Sequence, residues 1–168
     1  MEFQELITNR YSTRAFADAP VEREKLGAIL ASARLAPTAH NSQPQRIKIV
    51  SAPEELAKID DCSPCRYGAP VVFVICYDGA ETWRRPFDGV NSGVVDASIV
   101  TAHMMLQAEA LGLASCWVMF FNPEKLIKAF GLAEGLTPIA LLPVGYGAPD
   151  AAPSPFHTDR KPLSELLL

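Results

Sequence analysis

The chain has 168 residues, is 49% hydrophobic, and carries 15 basic against 19 acidic residues for a formal net charge of −4. That length suits one domain, residues 1–168, burying roughly 70% of the surface its unfolded form exposes. The charge balance excludes the footprint of a nucleic-acid or anionic-membrane binder, so any anion site has to be local.

Phe3, Leu6 and Ile7 recur at helical spacing and predict a short helix over residues 2–9 that delivers the chain to Arg10. Arg10 to Phe16 then reads Arg, Tyr, Ser, Thr, Arg, Ala, Phe. Arg10 and Arg14 present planar donor forks that match phosphate oxygens, and Ser12 and Thr13 each add a hydroxyl donor. Taken alone, the cluster reads more readily as two solvated arginines at a helix end.

Asp18 and Pro20 signal a second helix over Val21 to Leu35, with Leu26, Ile29, Leu30 and Ala33 on one face and Pro37 as its stop. Ala36 to Pro44 (Ala, Pro, Thr, Ala, His, Asn, Ser, Gln, Pro) is bounded by prolines and filled with small polar residues. Asn41 and Gln43 bring paired donors and acceptors suited to sugar hydroxyls or a heterocycle edge; an ordinary Asn/Ser turn fits equally well. Alternation over Arg46 to Ser51 predicts a half-buried strand, and Pro53 starts a short helix to about Ile59.

Val71 to Cys76 is an unbroken β-branched and aromatic run, which predicts a central strand buried on both faces. The connection from Asp78 to Gly93 holds Trp83, Arg84, Arg85, Pro86 and Phe87 and reads either as an aromatic, cationic cover for a flat ligand or as a disordered surface loop. Val94 to Leu113 is a helix apolar around most of its circumference, but Asp96, His103, Gln107 and Glu109 make it a poor membrane span.

Ser115 to Phe121 reads as another buried strand, and Asn122, Pro123 and Gly131 delimit a following helix. Pro138 to Tyr146 supplies a fourth strand. The proline-rich tail from Ala148 should run extended, carrying Arg160 and Lys161 and then Leu163 and Leu166 to Leu168, which need a cover.

Of four cysteines, Cys62 and Cys65 form a CxxC without the second pair a structural zinc site needs, while Cys76 and Cys116 read as core residues. No metal site is expected. No P-loop, GxSxG or HExxH motif is present, and no charged, apolar leader opens the chain, so a cytoplasmic enzyme with a borrowed reactive group is expected.

These segments, in this order, resemble the FMN-dependent nitroreductases nearly end to end. The resemblance is carried by Arg10, Ser12, Arg14 and Phe16, by Ala36, Pro37, Thr38, Asn41, Gln43 and Pro44, and by Asp96 to Ser98 with the helix to Leu113. Cys116 and Trp117, Leu142 to Tyr146, and Arg160 to Pro162 complete it. It implies an α+β fold, a nitroreductase-like α/β/α sandwich with a mainly antiparallel central sheet, built as an intertwined homodimer with FMN at each subunit interface. Arg10, Ser12 and Arg14, with Arg160 or Lys161, would hold the phosphate and ribityl chain. Pro37, Thr38, Ala39 and Asn41 would come from the other subunit with Gln43 nearby, and the backbone from Trp117 past Met119 to Phe120 would pass the isoalloxazine.

The implied activity is hydride transfer from NADH or NADPH to FMN and on to a small flat acceptor such as a nitroaromatic or quinone, the two substrates taking turns. No catalytic side chain is nominated. The alternatives are another flavin reaction on this fold, such as reductive dehalogenation, or a non-catalytic flavin-binding protein with Met119 and Phe120 shielding the ring. Two departures from the family stand out: Met119 and Phe120 lie where a glycine or acidic residue is common, and Gln45 replaces an aromatic residue after Gln43 and Pro44.

Overall fold

The computed structural model describes residues 2–168. In chain order the main elements are α1 (Phe3–Asn9), α2 (Arg23–Leu35), β1 (Gln45–Val50), α3 (Pro53–Cys62), β2 (Val71–Asp78), α4 (Gly93–Ala110), β3 (Ala114–Ser115), α5 (Pro123–Phe130) and β4 (Leu136–Gly145). The strands form one sheet in the order β1-β2-β4-β3, every neighbouring pair antiparallel.

Strand periodicity divides the core in two. Phe73, Ile75, Leu142 and Val144 turn toward α2 and α4, where they meet Ile29, Ala33, Val100 and Met104. Val72, Val74 and Leu141 turn to the opposite face and meet Ile59 of α3 and Leu126 of α5. Because β2 is covered on both faces, its sequence is continuously apolar rather than alternating. The result is the expected α+β sandwich of helices around an antiparallel sheet. At the start of α4, Gly93 lies so close to the Tyr77 ring that any Cβ would collide with it.

Helix α5 has the delimiters its sequence announces: the Asn122 side chain accepts from the Lys125 N–H at 2.9 Å, Pro123 opens the first turn, and Gly131 ends it in the left-handed region at φ 58°. Other boundaries differ from expectation. Helix α2 begins at Arg23, so Asp18 and Pro20 lie in the approach to it rather than at its cap. Helix α3 runs on to Cys62, and α4 spans Gly93–Ala110, ending before Leu111.

The expected strand from Ser115 to Phe121 is the main correction. Pairing is confined to Ala114–Ser115 and a single bridge from Val118 to Leu141, beyond which Met119 and Phe120 are 73% and 72% exposed. The chain leaves the sheet there because the backbone of this segment is claimed by the turn after α3: the Ser63 hydroxyl donates to the Phe120 carbonyl at 2.6 Å, and the Asn122 N–H donates to the Cys62 carbonyl at 2.9 Å.

The connection between β2 and α4 is ordered. Arg84 and Asn91 form an antiparallel bridge, the Arg85 N–H donates to the Val90 carbonyl, and an Arg85–Asp88 ion pair closes a turn whose tip, Phe87, is 94% exposed. The tail is also less extended than its prolines suggest, with 3₁₀ turns at Pro155–His157 and Leu163–Glu165. Among the described residues, no helix is long and apolar enough to cross a membrane.

Candidate functional site

The Arg10 to Arg14 segment runs beside β3. Ser12 pairs in parallel with Ser115, and the Thr13 N–H donates to the Ser115 carbonyl at 3.0 Å. In an extended segment, side chains two apart share a face. Arg10, Ser12 and Arg14 therefore project together into a pocket of about 170 Å³. Thr13 projects the other way and is 1% exposed, so it belongs to the interior and its hydroxyl is not part of the anion cluster.

The opposite wall comes from the other end of the chain, where Ser154, Phe156, His157 and Arg160 line the same pocket. The tail is led there by two backbone bonds and one from a side chain. The Ala17 N–H donates to the Tyr146 carbonyl at 2.9 Å, the Ala148 N–H to the Ala15 carbonyl at 3.0 Å, and the Tyr11 hydroxyl to the Ala151 carbonyl at 3.3 Å. Gly145 allows this closeness, since a Cβ there would meet the Pro70 and Phe16 rings.

Three guanidiniums, two hydroxyls and an imidazole line the pocket, and no carboxylate does. Arg14 bonds only within its own segment, to the Ser12 carbonyl at 3.3 Å, and Arg160 bonds the Phe156 and Asp159 carbonyls at 3.0 and 2.7 Å. These weak, neutral partners leave donors free, so the set is chemically suited to a phosphate. Burial pushes the nearby Glu109 carboxyl upward, opposed by the charge of Arg10. Behind the wall, burial raises the Cys116 thiol, with Arg14 and Ser12 opposing. Lys161 lies outside the lining and pairs instead with Glu165 at 3.4 Å.

The polar loop is a second centre. The Thr38 hydroxyl accepts from the Gln43 N–H at 3.0 Å, and His40, Asn41 and Gln43 all have positive φ (56°, 53° and 49°), a local strain for residues with side chains. Two bonds hold the loop in place: the Ala39 N–H donates to Asp96 Oδ1 at 2.8 Å, and the Ser92 hydroxyl donates to Asp96 Oδ2 at 2.7 Å. Ala39 lines a cavity of about 190 Å³ with Trp83, Val90 and Val95, distinct from the one lined by the arginines. Pro37 and Asn41 are exposed, as is Gln43.

The third stretch follows β3. Trp117 is half-buried with its indole Nε1 lacking a hydrogen-bond partner among the described residues. Met119 and Phe120 form the wall of an open groove of about 590 Å³ that ends at Cys62 and Asn122. All four cysteines are free thiols, and no group of three metal-ligating side chains occurs among the described residues. The pocket brings the arginines nominated from the sequence together with Ser154 and His157, which the sequence reading does not nominate. Their signal, a Ser-Pro step that caps a turn through the Ser154 hydroxyl and the Phe156 N–H, was masked by the prolines around it.

The nitroreductase family profile matches residues 7–65 and 62–146. A Methanothermobacter thermautotrophicus protein named as an NADH dehydrogenase/NAD(P)H nitroreductase is 30% identical over 157 residues, covering 88% of this chain and 78% of its own. The FMN reductase [NAD(P)H] of Bacillus subtilis is 27% identical, with 89% of this chain and 67% of that protein covered. Among solved structures, a nitroreductase family protein from Clostridium difficile 630 superposes with a TM-score of 0.94 at 43% identity, over 100% of this chain and 98% of that one. An Exiguobacterium sibiricum nitroreductase in complex with FMN shares the fold at 20% identity, with a TM-score of 0.85 over 99% and 96% of the two chains. The chain belongs to the nitroreductase family.

Proposed function

We propose that this chain is an FMN-dependent NAD(P)H oxidoreductase that reduces a small flat acceptor, of the nitroaromatic or quinone class, with the nicotinamide and the acceptor taking turns at one site. The observation that supports it most directly is the single face formed by Arg10, Ser12 and Arg14, opposed by Arg160 in a pocket without carboxylates. That donor set fits a phosphate monoester, and FMN carries one.

When bound, FMN supplies the two-electron chemistry: it accepts hydride from the nicotinamide and passes reducing equivalents to the acceptor. The chain's residues supply position. Arg10, Arg14 and Arg160 neutralise the phosphate dianion, and Ser12 donates its hydroxyl to the same group. Trp117 to Phe120 form the wall beside the ring; the Val118 N–H is bonded to the Leu141 carbonyl, while the N–H groups of Trp117, Met119 and Phe120 have no backbone acceptor among the described residues and can face a ligand.

None of Pro37, Thr38, Ala39, Asn41 and Gln43 lines the pocket of the arginines, and Ala39 lines a separate cavity, which supports the loop acting on the FMN of a second copy. On this reading the enzyme is a homodimer. The names of relatives fit electron transfer to varied acceptors: besides the FMN reductase, a Pseudomonas sp. relative is named a Cr(VI) reductase. The test is the chromophore released by denaturing the purified protein. FMN is expected; FAD, or a colourless protein that takes up no added FMN, would contradict the reading.

A further inference from the structure

The residues that meet the phosphate from the C-terminal side are given by neither the family match nor the names of relatives, and the geometry of the pocket points to them. We infer that Ser154 and His157 are additional phosphate ligands, with Tyr11 as the residue that positions His157. The inference rests on the flavin reading, because it names the further contacts of the group that reading places here.

Three observations support it. Ser154 and His157 line the same pocket as Arg10, Arg14 and Arg160. The Ser154 oxygen already accepts from the Phe156 N–H at 3.3 Å, so its hydroxyl proton is free to be donated to an anion. Neither ring nitrogen of His157 has a hydrogen-bond partner among the described residues, and an imidazole N–H is a good donor to a phosphate oxygen.

The direction of the imidazole is set by Tyr11. The two rings meet edge to face, with centroids 6.1 Å apart and planes at 68°. Tyr11 is in turn tied to the tail through its hydroxyl bond to the Ala151 carbonyl. Tyr11 lies between Arg10 and Ser12 in sequence, so one segment carries both the N-terminal phosphate ligands and the support for the C-terminal one. Phosphate bound here would contact residues 10–14 and 154–160 at once and hold the two ends of the chain together.

The experiment compares FMN with riboflavin, which has the same ring and ribityl chain but no phosphate, by fluorescence titration of apoprotein. Wild type should bind FMN more tightly than riboflavin, and inorganic phosphate should compete with FMN. His157→Ala should weaken FMN binding about tenfold, within the range for a hydrogen bond to a charged group, and leave riboflavin affinity unchanged. Ser154→Ala should do the same to a smaller extent. His157→Asn, which keeps a donor, should recover part of the loss, and Tyr11→Phe, which keeps the ring contact, should resemble wild type more than Tyr11→Leu does.

Equal losses of FMN and riboflavin affinity in His157→Ala would make His157 a structural residue, and no loss of either would remove it from the site. Both outcomes overturn the inference while leaving the flavin reading intact. A wild-type protein that binds riboflavin as tightly as FMN would instead contradict the phosphate site itself.

Discussion

The backbone N–H of Ala39 donates to the buried carboxylate of Asp96 at 2.8 Å, and through this bond the polar loop is fixed to the first turn of the central helix. Asp96 is 1% exposed and its second oxygen accepts from the Ser92 hydroxyl, so the same side chain also fixes the residue that joins the Trp83 to Asn91 hairpin to α4. Asp96→Ala leaves both donors without a partner in a buried place. A loss of roughly 2 to 4 kcal/mol in unfolding free energy is expected from urea titration, with Asp96→Asn losing less because it keeps one acceptor.

Among the described residues Arg14 makes a single 3.3 Å bond, to a carbonyl of its own segment, so its fork is available to the proposed phosphate. Arg14→Ala should weaken FMN binding by roughly 1.5 to 3 kcal/mol, about ten- to a hundredfold, with lysine a partial substitute because it lacks the planar pair of donors. Fluorescence titration measures this, and an unchanged affinity would return Arg14 to the role of a solvated surface residue.

The thiols should differ sharply in reactivity. Burial pushes Cys76 from an ordinary value of 9.0 up to about 11, and burial likewise raises Cys62 and Cys116. Reactivity follows the thiolate, so at pH 8 in the native state Cys65, which is less buried, should be labelled first by a disulfide reagent and Cys76 only on unfolding. The linkage has a definite sign. A folded value above the unfolded one makes the Cys76 contribution fully present below about pH 9 and lost as pH rises through about 11. Cys76→Ala should therefore flatten the alkaline limb of the stability curve, measured by denaturant titration across that range.

Assembly should be linked to the cofactor. Leu163 and Leu166 to Leu168 are exposed at the end of the tail, and Val94 and Val95 are exposed on α4, so a single chain leaves both apolar groups open to water. On the proposed homodimer, a second copy covering them would also bring its polar loop to the flavin. Removing the residues after Pro162 should then weaken the dimer and FMN retention together, since each stabilises the other by mass action. Sedimentation of the holoprotein at submicromolar concentration checks this, and a monomer that keeps its FMN would show the site complete within one chain.

Much of the architecture was legible because local chemistry and tertiary packing agree. The apolar run at Val71 to Cys76 is a strand covered on both faces, and Asn122, Pro123 and Gly131 delimit α5 as their conformations require. The arginine cluster was legible because spacing by two places three polar side chains on one face, although the same rule turns Thr13 inward, where composition alone had counted its hydroxyl with the cluster.

The failures have tertiary causes. Ser115 to Phe121 has strand composition, but Ser63 takes the Phe120 carbonyl and Cys62 takes the Asn122 N–H just beyond it, both from outside the sheet. The Asp78 to Gly93 connection offered no alternation to read, yet an Arg85–Asp88 pair and a left-handed Gly89 at φ 73° close it into a hairpin. His157 reaches the pocket only because Tyr11, 146 positions earlier, gives the tail a surface to fold against. No periodicity in the tail records that contact.

On the proposed function, the chain holds FMN where a nicotinamide can reduce it and a second substrate can reoxidise it. The most direct measurement is the anaerobic visible spectrum of the purified holoprotein through successive additions of NADH or NADPH and then a quinone. The flavin band should bleach with a stoichiometric amount of one nicotinamide and return when the quinone is added. A flavin band that persists under excess of both nicotinamides, in a protein whose bound FMN is still reduced by dithionite, would contradict the claim.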